Sequence, residues 1–223
     1  MRSPRECNVD GTRVNRKYPV RNLANLPFRP GPDRQHPPPR ALTRRRPGHQ
    51  PAFMSNAVEI FDVVDEQDVV IGQMPRPTVH QLGLRHRATH MLVFNALGEL
   101  FLQQRSMLKD MWPGVWDSSA SGHVDSGEDY DACAIRELGE ELGLITKAPP
   151  HRWFRLLASP ETGMEFCWVY RLVHEGPFTL QASEVRGGAW FKPTTIDSWI
   201  ERHPEDFASA FRVLWPMARK LMD

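Results

Sequence analysis

Residues 122–144 of this 223-residue chain are GHVDSGEDYDACAIRELGEELGL. Ser126, followed three residues later by the acidic Asp129, is typical of a helix N-cap with its acidic partner. The run DACAIRELGEEL continues as helix, and Gly143 is a natural helix stop. The stretch therefore predicts a loop followed by one helix.

Three glutamates of this helix are placed to act together. Glu137, Glu140 and Glu141 stand at i, i+3 and i+4, so their carboxylates share one helix face. Like charges so placed repel, and Arg136 is the cation that can reach Glu140 one turn on. A hard divalent cation would relieve the repulsion, because Mg²⁺ takes carboxylate oxygens and keeps waters for a phosphate partner. A solvated helix face is the alternative for such a string taken alone.

The whole motif favours the functional interpretation. Seven fixed residues and two apolar ones at set spacing arise by chance with a probability on the order of 10⁻⁹ per starting position. The stretch resembles the Nudix box and is complete at every motif position. The resemblance implies an enzyme that hydrolyses a diphosphate linked to another moiety, with Mg²⁺ or Mn²⁺ as cofactor.

The resemblance also implies roles for individual residues. Glu137, Glu140 and Glu141 would be metal ligands, helped by the carbonyl of Gly122. Arg136 would orient a glutamate, and Glu128 would bind metal weakly or brace the loop. The general base would be one of the box glutamates or a glutamate outside the box, for which Glu165 and Glu184 are the candidates. A surface charge is the competing interpretation of Glu184.

Residues on either side of the motif indicate which branch of the Nudix superfamily the chain resembles. Residues 84–106 (LRHRATHMLVFNALGELFLQQRS), 109–124 (KDMWPGVWDSSASGHV) and 164–170 (MEFCWVY) resemble the isopentenyl-diphosphate isomerase branch of the superfamily. That resemblance implies that Arg105 and Lys109 hold the substrate diphosphate.

The same resemblance implies a second group of metal ligands. His86, His123 and Glu165 match two histidines and a glutamate that help bind the isomerase metal. Packing or a loop hydrogen bond is the alternative for the two histidines. His80 lies near a further isomerase histidine in an uncertain register, and His90 falls inside a strand, where a structural role is expected.

Two departures argue against isomerisation. The isomerases use a cysteine just before the box glycine, and here that position is Ser121, whose hydroxyl is a far weaker acid than a thiol. An isomerase metal glutamate two residues before Glu165 is matched by Gly163. The isomerases carry a degraded box, whereas this chain keeps all three box glutamates, so hydrolysis is the predicted chemistry.

The elements on either side of the motif alternate between strand and helix. Residues 58–74 predict a hairpin around a turn at 65–68, and an irregular or helical piece leads to His86. Further strands are expected in 87–106, 116–123, 151–159, 165–173 and 189–191, and helices in 195–203 and 206–223, with Pro216 kinking or interrupting the last. Such interleaving predicts an α/β or α+β domain with a mixed sheet covered by helices. The Nudix resemblance specifies an α/β/α sandwich.

Charge is divided unevenly along the chain. Residues 1–53 hold 12 Lys and Arg against 3 Asp and Glu, a net charge of +9, while the remainder holds 16 against 24, a net charge of −8. Ten of the 20 prolines also lie in residues 1–53, so this segment is expected to be disordered, ahead of a Nudix domain over 54–223. It could grip a polyanion through Arg44–Arg46, target an organelle, or precede the true start at Met54. We favour the third, which predicts a tail without function.

Composition also bounds the compartment and partners. Three scattered cysteines suit a reducing cytoplasm, and no apolar run approaches the roughly 18 residues that a membrane helix needs. The expected partner is a small-molecule diphosphate, with no nucleic acid or membrane, and many Nudix proteins dimerise, so a homodimer is open. The alternatives are an isopentenyl-diphosphate isomerase and a non-catalytic Nudix module that binds a nucleotide or RNA.

Overall fold

Short apolar and alternating segments form nine strands in the computed structural model, which describes residues 59–222. The strands are β1 (Ile60–Val64), β2 (Val70–Pro75), β3 (His86–Phe94), β4 (Leu100–Arg105), β5 (Trp116–Asp117), β6 (Ala120–His123), β7 (His151–Leu156), β8 (Glu165–Val173) and β9 (Val185–Phe191). The helices are α1 (Arg76–Leu82), α2 (Tyr130–Leu142), α3 (Pro193–Arg202) and α4 (Ser209–Lys220). The predictions of a disordered tail and of a boundary at Met54 lie outside the described residues.

Seven strands form one mixed sheet. Its main path runs β5-β4-β3-β8-β7, with β6 also pairing with β3 and β9 also pairing with β4. The β3 and β8 strands are parallel and run in register from His86 opposite Glu165 to Phe94 opposite Val173, whereas the other pairs in this sheet are antiparallel. The register places the first residues of β3 and β8 side by side.

Helices cover both faces of this sheet, as the sequence predicts. One face packs against α3 and α4 through residues such as Ile196, Phe211 and Trp215. The other face packs against α2, whose Cys133 and Leu138 are fully buried. The α/β/α arrangement of an α+β domain is confirmed, and it fixes α2 against the sheet so that its glutamates meet the ends of the strands.

The first two strands form a separate hairpin that closes over the loop before α2. The Asp62 carboxylate of β1 accepts hydrogen bonds from the Ser126 hydroxyl (2.8 Å) and the Gly127 N–H (3.2 Å). Asp68, in the hairpin turn, accepts from Arg87 (2.6 Å) and Arg155 (2.6 Å). The hairpin is therefore tied to both the motif loop and the sheet.

Most elements fall where the sequence places them, with differences in detail. The irregular or helical piece before His86 is a helix, α1, with Pro77 in its first turn, where the missing N–H costs nothing. Pro216 does not interrupt α4, which runs on to Lys220. None of the helices within residues 59–222 combines the length and apolar composition that crossing a bilayer requires.

Candidate metal and active site

The helix that carries the glutamates starts three residues later than a cap at Ser126 implies. Asp129 is the N-cap of α2, and its Oδ1 accepts a hydrogen bond from the Ala132 N–H at 2.8 Å. The prediction that Ser126 caps the helix is wrong, because its hydroxyl donates to Asp62 instead. The predicted stop is confirmed, since Gly143 adopts the left-handed conformation at a φ of 65° and donates to the Gly139 carbonyl.

We name Glu137, Glu140 and Glu141 the carboxylate cluster. Glu137 is 8% exposed and Glu141 is 1% exposed, whereas the Glu140 side chain is 58% exposed. Arg136 Nη1 donates to both Glu137 Oε1 (2.6 Å) and Glu140 Oε2 (3.2 Å), and the charge of Glu141 raises the pKa of Glu137, so the three glutamates lie close together. They differ in that two are withdrawn from water and one is not.

Burial makes the negative charge of this cluster costly. Burial first, and then the charge of Glu141, raise the pKa of Glu137 above its ordinary value. Burial also raises the pKa of Glu141, against the opposing effects of Lys109, the Ser121 N–H and Gln103. Two neighbouring carboxylates in a desolvated site resist ionising together, and a bound cation is what would hold both in the charged form.

Gly122 makes room for Glu137. A Cβ atom on Gly122 would lie 1.9 Å from Glu137 Oε1 and 2.1 Å from its carboxyl carbon, so any other residue would displace the carboxylate. The glycine of the motif is therefore a packing requirement of the site. The predicted role of its carbonyl as a metal ligand stays a prediction.

Arg136 and Glu128 form the brace between helix and loop. Both Glu128 oxygens accept hydrogen bonds from Arg136, at 3.0 and 2.8 Å, and Arg136 also donates to the His123 carbonyl at 3.0 Å. Burial alone would lower the pKa of Arg136, but Glu128 and Glu137 outweigh it and raise the pKa. Because both its oxygens are engaged, Glu128 fits the bracing role better than that of a ligand.

A second cluster stands beside the first, and we name His80, His86 and His123 the histidine cluster. One ring nitrogen from each lies within 4.8 Å of the others, and the ring centroids are 4.9 to 5.2 Å apart. Glu165 Oε1 lies 3.1 Å from His123 Nε2 and 3.7 Å from His86 Nε2. The structure thus brings together His86, His123 and Glu165, as the resemblance implies, and adds His80.

The ring nitrogens of the histidine cluster have different partners. His86 Nδ1 lies 2.9 Å from the Leu84 carbonyl, which can only accept, so Nδ1 carries a proton and Nε2 is the ring nitrogen that faces Glu165. Within residues 59–222, the buried Nε2 atoms of His86 and His80 have no hydrogen-bond partner. Burial lowers the pKa of His123 to about 4 despite Glu165, and burial also lowers the pKa of His80. Three imidazoles with ring nitrogens this close together, beside the Glu165 carboxylate, are a residue set that could hold a metal ion.

Glu165 opens β8 next to these rings. Burial raises its pKa, but the contacts with His123 and His86 outweigh burial and hold the pKa well below its usual range. A carboxylate that resists protonation is a good ligand and a weak base, which favours the ligand role over that of general base. A Cβ on Gly163 would lie 3.6 Å from Glu165 Oε1, so that position does border the histidine cluster.

Phe61 packs on the histidine cluster, a contact that the sequence does not predict. Its ring is 1% exposed and stacks on His123 (centroids 4.6 Å apart) and His86 (5.6 Å), and it meets His80 edge-on at 6.0 Å. Phe61 therefore holds all three rings from the hairpin side. No local sequence pattern around residue 61 indicates this contact, because it forms only through tertiary packing.

The two predicted diphosphate-binding residues flank the carboxylate cluster. Arg105 donates to Asp117 (3.2 Å) and to the Met111 carbonyl (3.1 Å), and Lys109 forms an ion pair with Glu184. The positive charges of Lys109 and Arg105 both lower the pKa of Glu141, so their fields reach the cluster. The contact with Lys109 accounts for Glu184 without a role as base.

The other residues that the sequence singles out have structural surroundings. His90 is buried, with Nδ1 2.9 Å from the Ser118 hydroxyl, as expected of a structural histidine. Trp112, Trp116 and Trp153 pack against the core on the α3–α4 side of the sheet. Ser121 donates its backbone N–H to Glu141 at 2.9 Å.

Comparison with known proteins identifies the family that the motif resembles. The NUDIX domain model matches residues 84–212, more than half of the chain. An uncharacterized Nudix hydrolase of Pseudomonas aeruginosa is 38% identical over 135 residues, covering 60% of this chain and 79% of the relative. An isopentenyl-diphosphate Delta-isomerase of Paenarthrobacter aurescens is 32% identical over 169 residues, covering 72% and 91%. A crystal structure of a Deinococcus radiodurans protein superposes with a TM-score of 0.58 at 30% identity, covering 65% and 90%.

Proposed function

The chain belongs to the NUDIX domain family and is a hydrolase of that family, and we propose that it cleaves a phosphoanhydride bond in a nucleoside di- or triphosphate or a related diphosphate compound. The family generally uses divalent metal ions. The proposed cofactor here is Mg²⁺, with Mn²⁺ as its substitute.

One observation carries the proposal. Glu137 and Glu141 are buried one helical turn apart, and burial raises the pKa of both despite Arg136 beside Glu137 and Lys109 near Glu141. Such a pair ionises fully when a further positive charge joins it, and a divalent cation is the ligand that supplies this charge. The residues therefore fit a divalent ion held by Glu137 and Glu141, with Glu140 at the exposed side and the Gly122 carbonyl at the strand side.

When bound, the metal supplies charge neutralisation on the phosphoryl oxygens and lowers the pKa of a water. The protein side chains hold the substrate and the glutamates in position. Arg105 and Lys109 bind the diphosphate, and Arg136 fixes Glu137. The attacking water forms a new O–P bond as the bond to the leaving phosphate oxygen breaks, and a glutamate of the carboxylate cluster takes the proton of that water. We assign this base role to Glu141 rather than to Glu165.

The histidine cluster is proposed as a second metal centre. His86, His123 and Glu165 would be its ligands, with His80 joining them, and imidazole nitrogens suit Mn²⁺ or Zn²⁺ better than Mg²⁺. The buried Nε2 atoms of His80 and His86, which have no hydrogen-bond partner within residues 59–222, support this proposal.

Isopentenyl-diphosphate isomerisation is the second candidate. The histidine cluster and the resemblance to the Paenarthrobacter isomerase favour it. Against it, Ser121 provides no thiol to move a proton, and its N–H is engaged with Glu141. Turnover of isopentenyl diphosphate to its isomer would establish this candidate, and hydrolysis alone would exclude it.

The proposed setting is the cytoplasm, with a small-molecule diphosphate and not a nucleic acid as partner. The free cysteines Cys133 and Cys167 are buried and support a reducing compartment. A homodimer stays a prediction.

The test is phosphate and pyrophosphate release by the full chain from nucleoside di- and triphosphates, nucleotide sugars and isopentenyl diphosphate. Each compound is incubated with Mg²⁺, with Mn²⁺ and with EDTA. Glu141→Gln is run beside Glu201→Gln, a matched change at an exposed residue of α3. We expect metal-dependent release from at least one compound, lost in Glu141→Gln and kept in Glu201→Gln. Release that persists in EDTA or in Glu141→Gln would contradict the proposal.

A further inference from the structure

Gln103 is a fully buried polar residue in the middle of β4, beside the carboxylate cluster. Its amide Nε2 donates a hydrogen bond to Glu141 Oε2 at 3.0 Å. The next residue, Gln104, points the opposite way and donates to the Gly114 carbonyl at 3.1 Å. Because successive side chains of a strand point to opposite faces, Gln103 contacts the carboxylate cluster and Gln104 contacts the loop at Gly114.

Glu141 is held by two donors on one oxygen. The Ser121 N–H reaches Oε2 at 2.9 Å, and the Gln103 amide reaches the same atom at 3.0 Å. Two bonds to one oxygen fix the rotation of the carboxylate, so the direction of the other oxygen, Oε1, is set by the protein. A ligand fixed in this way loses less rotamer entropy when it binds a cation.

The other end of the Gln103 amide is unsatisfied. Its Oε1 atom is buried and has no hydrogen-bond partner among residues 59–222. A buried acceptor left without a donor costs about 1–3 kcal/mol, and folds rarely tolerate this cost without a reason. A water at the carboxylate cluster is a donor that would satisfy Gln103 Oε1.

We propose that Gln103 is a positioning residue of the hydrolase, which orients Glu141 through its amide nitrogen and holds a water beside that carboxylate through its amide oxygen. This inference rests on the proposed function, because it requires Glu141 to bind a cation. The side chain of Gln103 acts only through Glu141 and the water.

The test replaces the amide while keeping its shape. Gln103→Met removes both hydrogen-bonding atoms, and Gln104→Met is the matched control one residue along the strand. Binding of Mn²⁺ alone to the full-length protein is measured from the electron paramagnetic resonance signal of the free ion. kcat and KM are then measured with the best substrate of the panel.

We expect Gln103→Met to weaken Mn²⁺ binding and to lower kcat by roughly 10–100-fold each, with KM within about twofold of the wild type. Gln104→Met keeps the wild-type affinity for Mn²⁺. A purely packing role would leave both Mn²⁺ affinity and kcat unchanged. If circular dichroism finds Gln103→Met unfolded, Gln103→Asn, which keeps the amide but withdraws it by one methylene, takes its place with the same expectation.

The outcomes separate the two proposals. Wild-type protein that binds Mn²⁺, together with folded Gln103 variants that bind it equally well and turn over equally fast, would overturn this inference alone. Wild-type protein that binds no Mn²⁺ would overturn the proposed function and this inference together.

Discussion

The carboxylate cluster and the histidine cluster are adjacent, yet the chain builds them in opposite ways. The three carboxylates lie within five consecutive residues of one helix, α2. The histidines come from α1, β3 and β6, with Glu165 added from β8 and Phe61 packing on them from β1. One cluster is a local motif, and the other exists only after the hairpin has closed on the sheet.

The two clusters also differ in charge. Burial raises the pKa of Glu137 and Glu141, so both carboxyls ionise fully only with added positive charge, whereas burial lowers the pKa of His123 and His80, which favours neutral rings. Carboxylate oxygens suit Mg²⁺, and neutral imidazoles bind Zn²⁺ or Mn²⁺ better than they bind Mg²⁺. We therefore expect the two adjacent clusters to prefer different ions, because they bury different residue types.

His123 joins the clusters. Its backbone carbonyl accepts from Arg136, which holds Glu137, while its ring contacts Glu165. A substitution in one cluster should therefore change the geometry of the other cluster through His123.

The largest expected effect separates buried from exposed glutamates inside the carboxylate cluster. Glu137→Gln should lower kcat/KM by about 100- to 1000-fold, because losing a metal ligand removes several kcal/mol of charge stabilisation. Glu140→Gln, at a side chain 58% exposed, should cost about tenfold. Steady-state assays of the two variants check this, and equal losses would erase the distinction between the buried and exposed positions.

A smaller effect is expected in the histidine cluster. His123→Ala should lower activity by roughly 10–100-fold and reduce the Zn²⁺ bound per chain by one ion. His151→Ala, at an exposed residue of β7, is the control and should change neither quantity. Metal analysis of dialysed protein gives the count, and an unchanged count in His123→Ala would contradict a metal centre there.

Substrate binding should depend on Lys109, the lysine whose charge acts on the carboxylate cluster. Lys109→Met is expected to raise KM by about tenfold with a smaller change in kcat, since a charge-assisted hydrogen bond contributes about 1.5–3 kcal/mol. Lys220→Met, exposed at the end of α4, should leave KM unchanged. A rise in KM of the same size in both variants would show that Lys109 acts only through net charge.

The smallest effect concerns the hairpin that closes the histidine cluster. Burial raises the pKa of Asp62, but hydrogen bonds from Ser126, Gly127 and Gln73 outweigh it and lower the pKa below the usual value. The charged carboxylate thus stabilises the fold above the unfolded pKa near 4, and this contribution is lost as the pH falls through the lower folded pKa. Asp62→Asn should cost about 1–2 kcal/mol at pH 7 and less near pH 2.5.

Urea unfolding of the wild type and of Asp62→Asn at both pH values measures that difference. Equal destabilisation at the two pH values would mean that the charge of Asp62 is irrelevant and that only its shape matters.

The sequence predicts the carboxylate cluster well because its geometry is local. The i, i+4 spacing of Glu137 and Glu141 suffices to bring them to one buried face, and the flanking apolar runs suffice for the layered fold. The N-cap differs from the predicted one because Ser126 bonds to Asp62, which lies 64 residues earlier, and local sequence rules do not include such a long-range contact.

The remaining site residues depend on tertiary packing. The spacing of His80 and His86 does not reveal that their rings meet edge to face, and nothing around Phe61 indicates that its ring will contact three imidazoles. Gln103 belongs to a run that predicts a strand, but its contact with Glu141 follows from how α2 packs on the sheet.

Anomalous diffraction from crystals of the full chain grown at saturating Mn²⁺ locates the bound ions directly. We expect a manganese peak about 2.1 Å from carboxylate oxygens of Glu137 and Glu141, with a second peak among the nitrogens of the histidine cluster. A map with no manganese peak at Glu137 and Glu141 would show that the carboxylate cluster is not a metal site, whatever the histidine cluster holds.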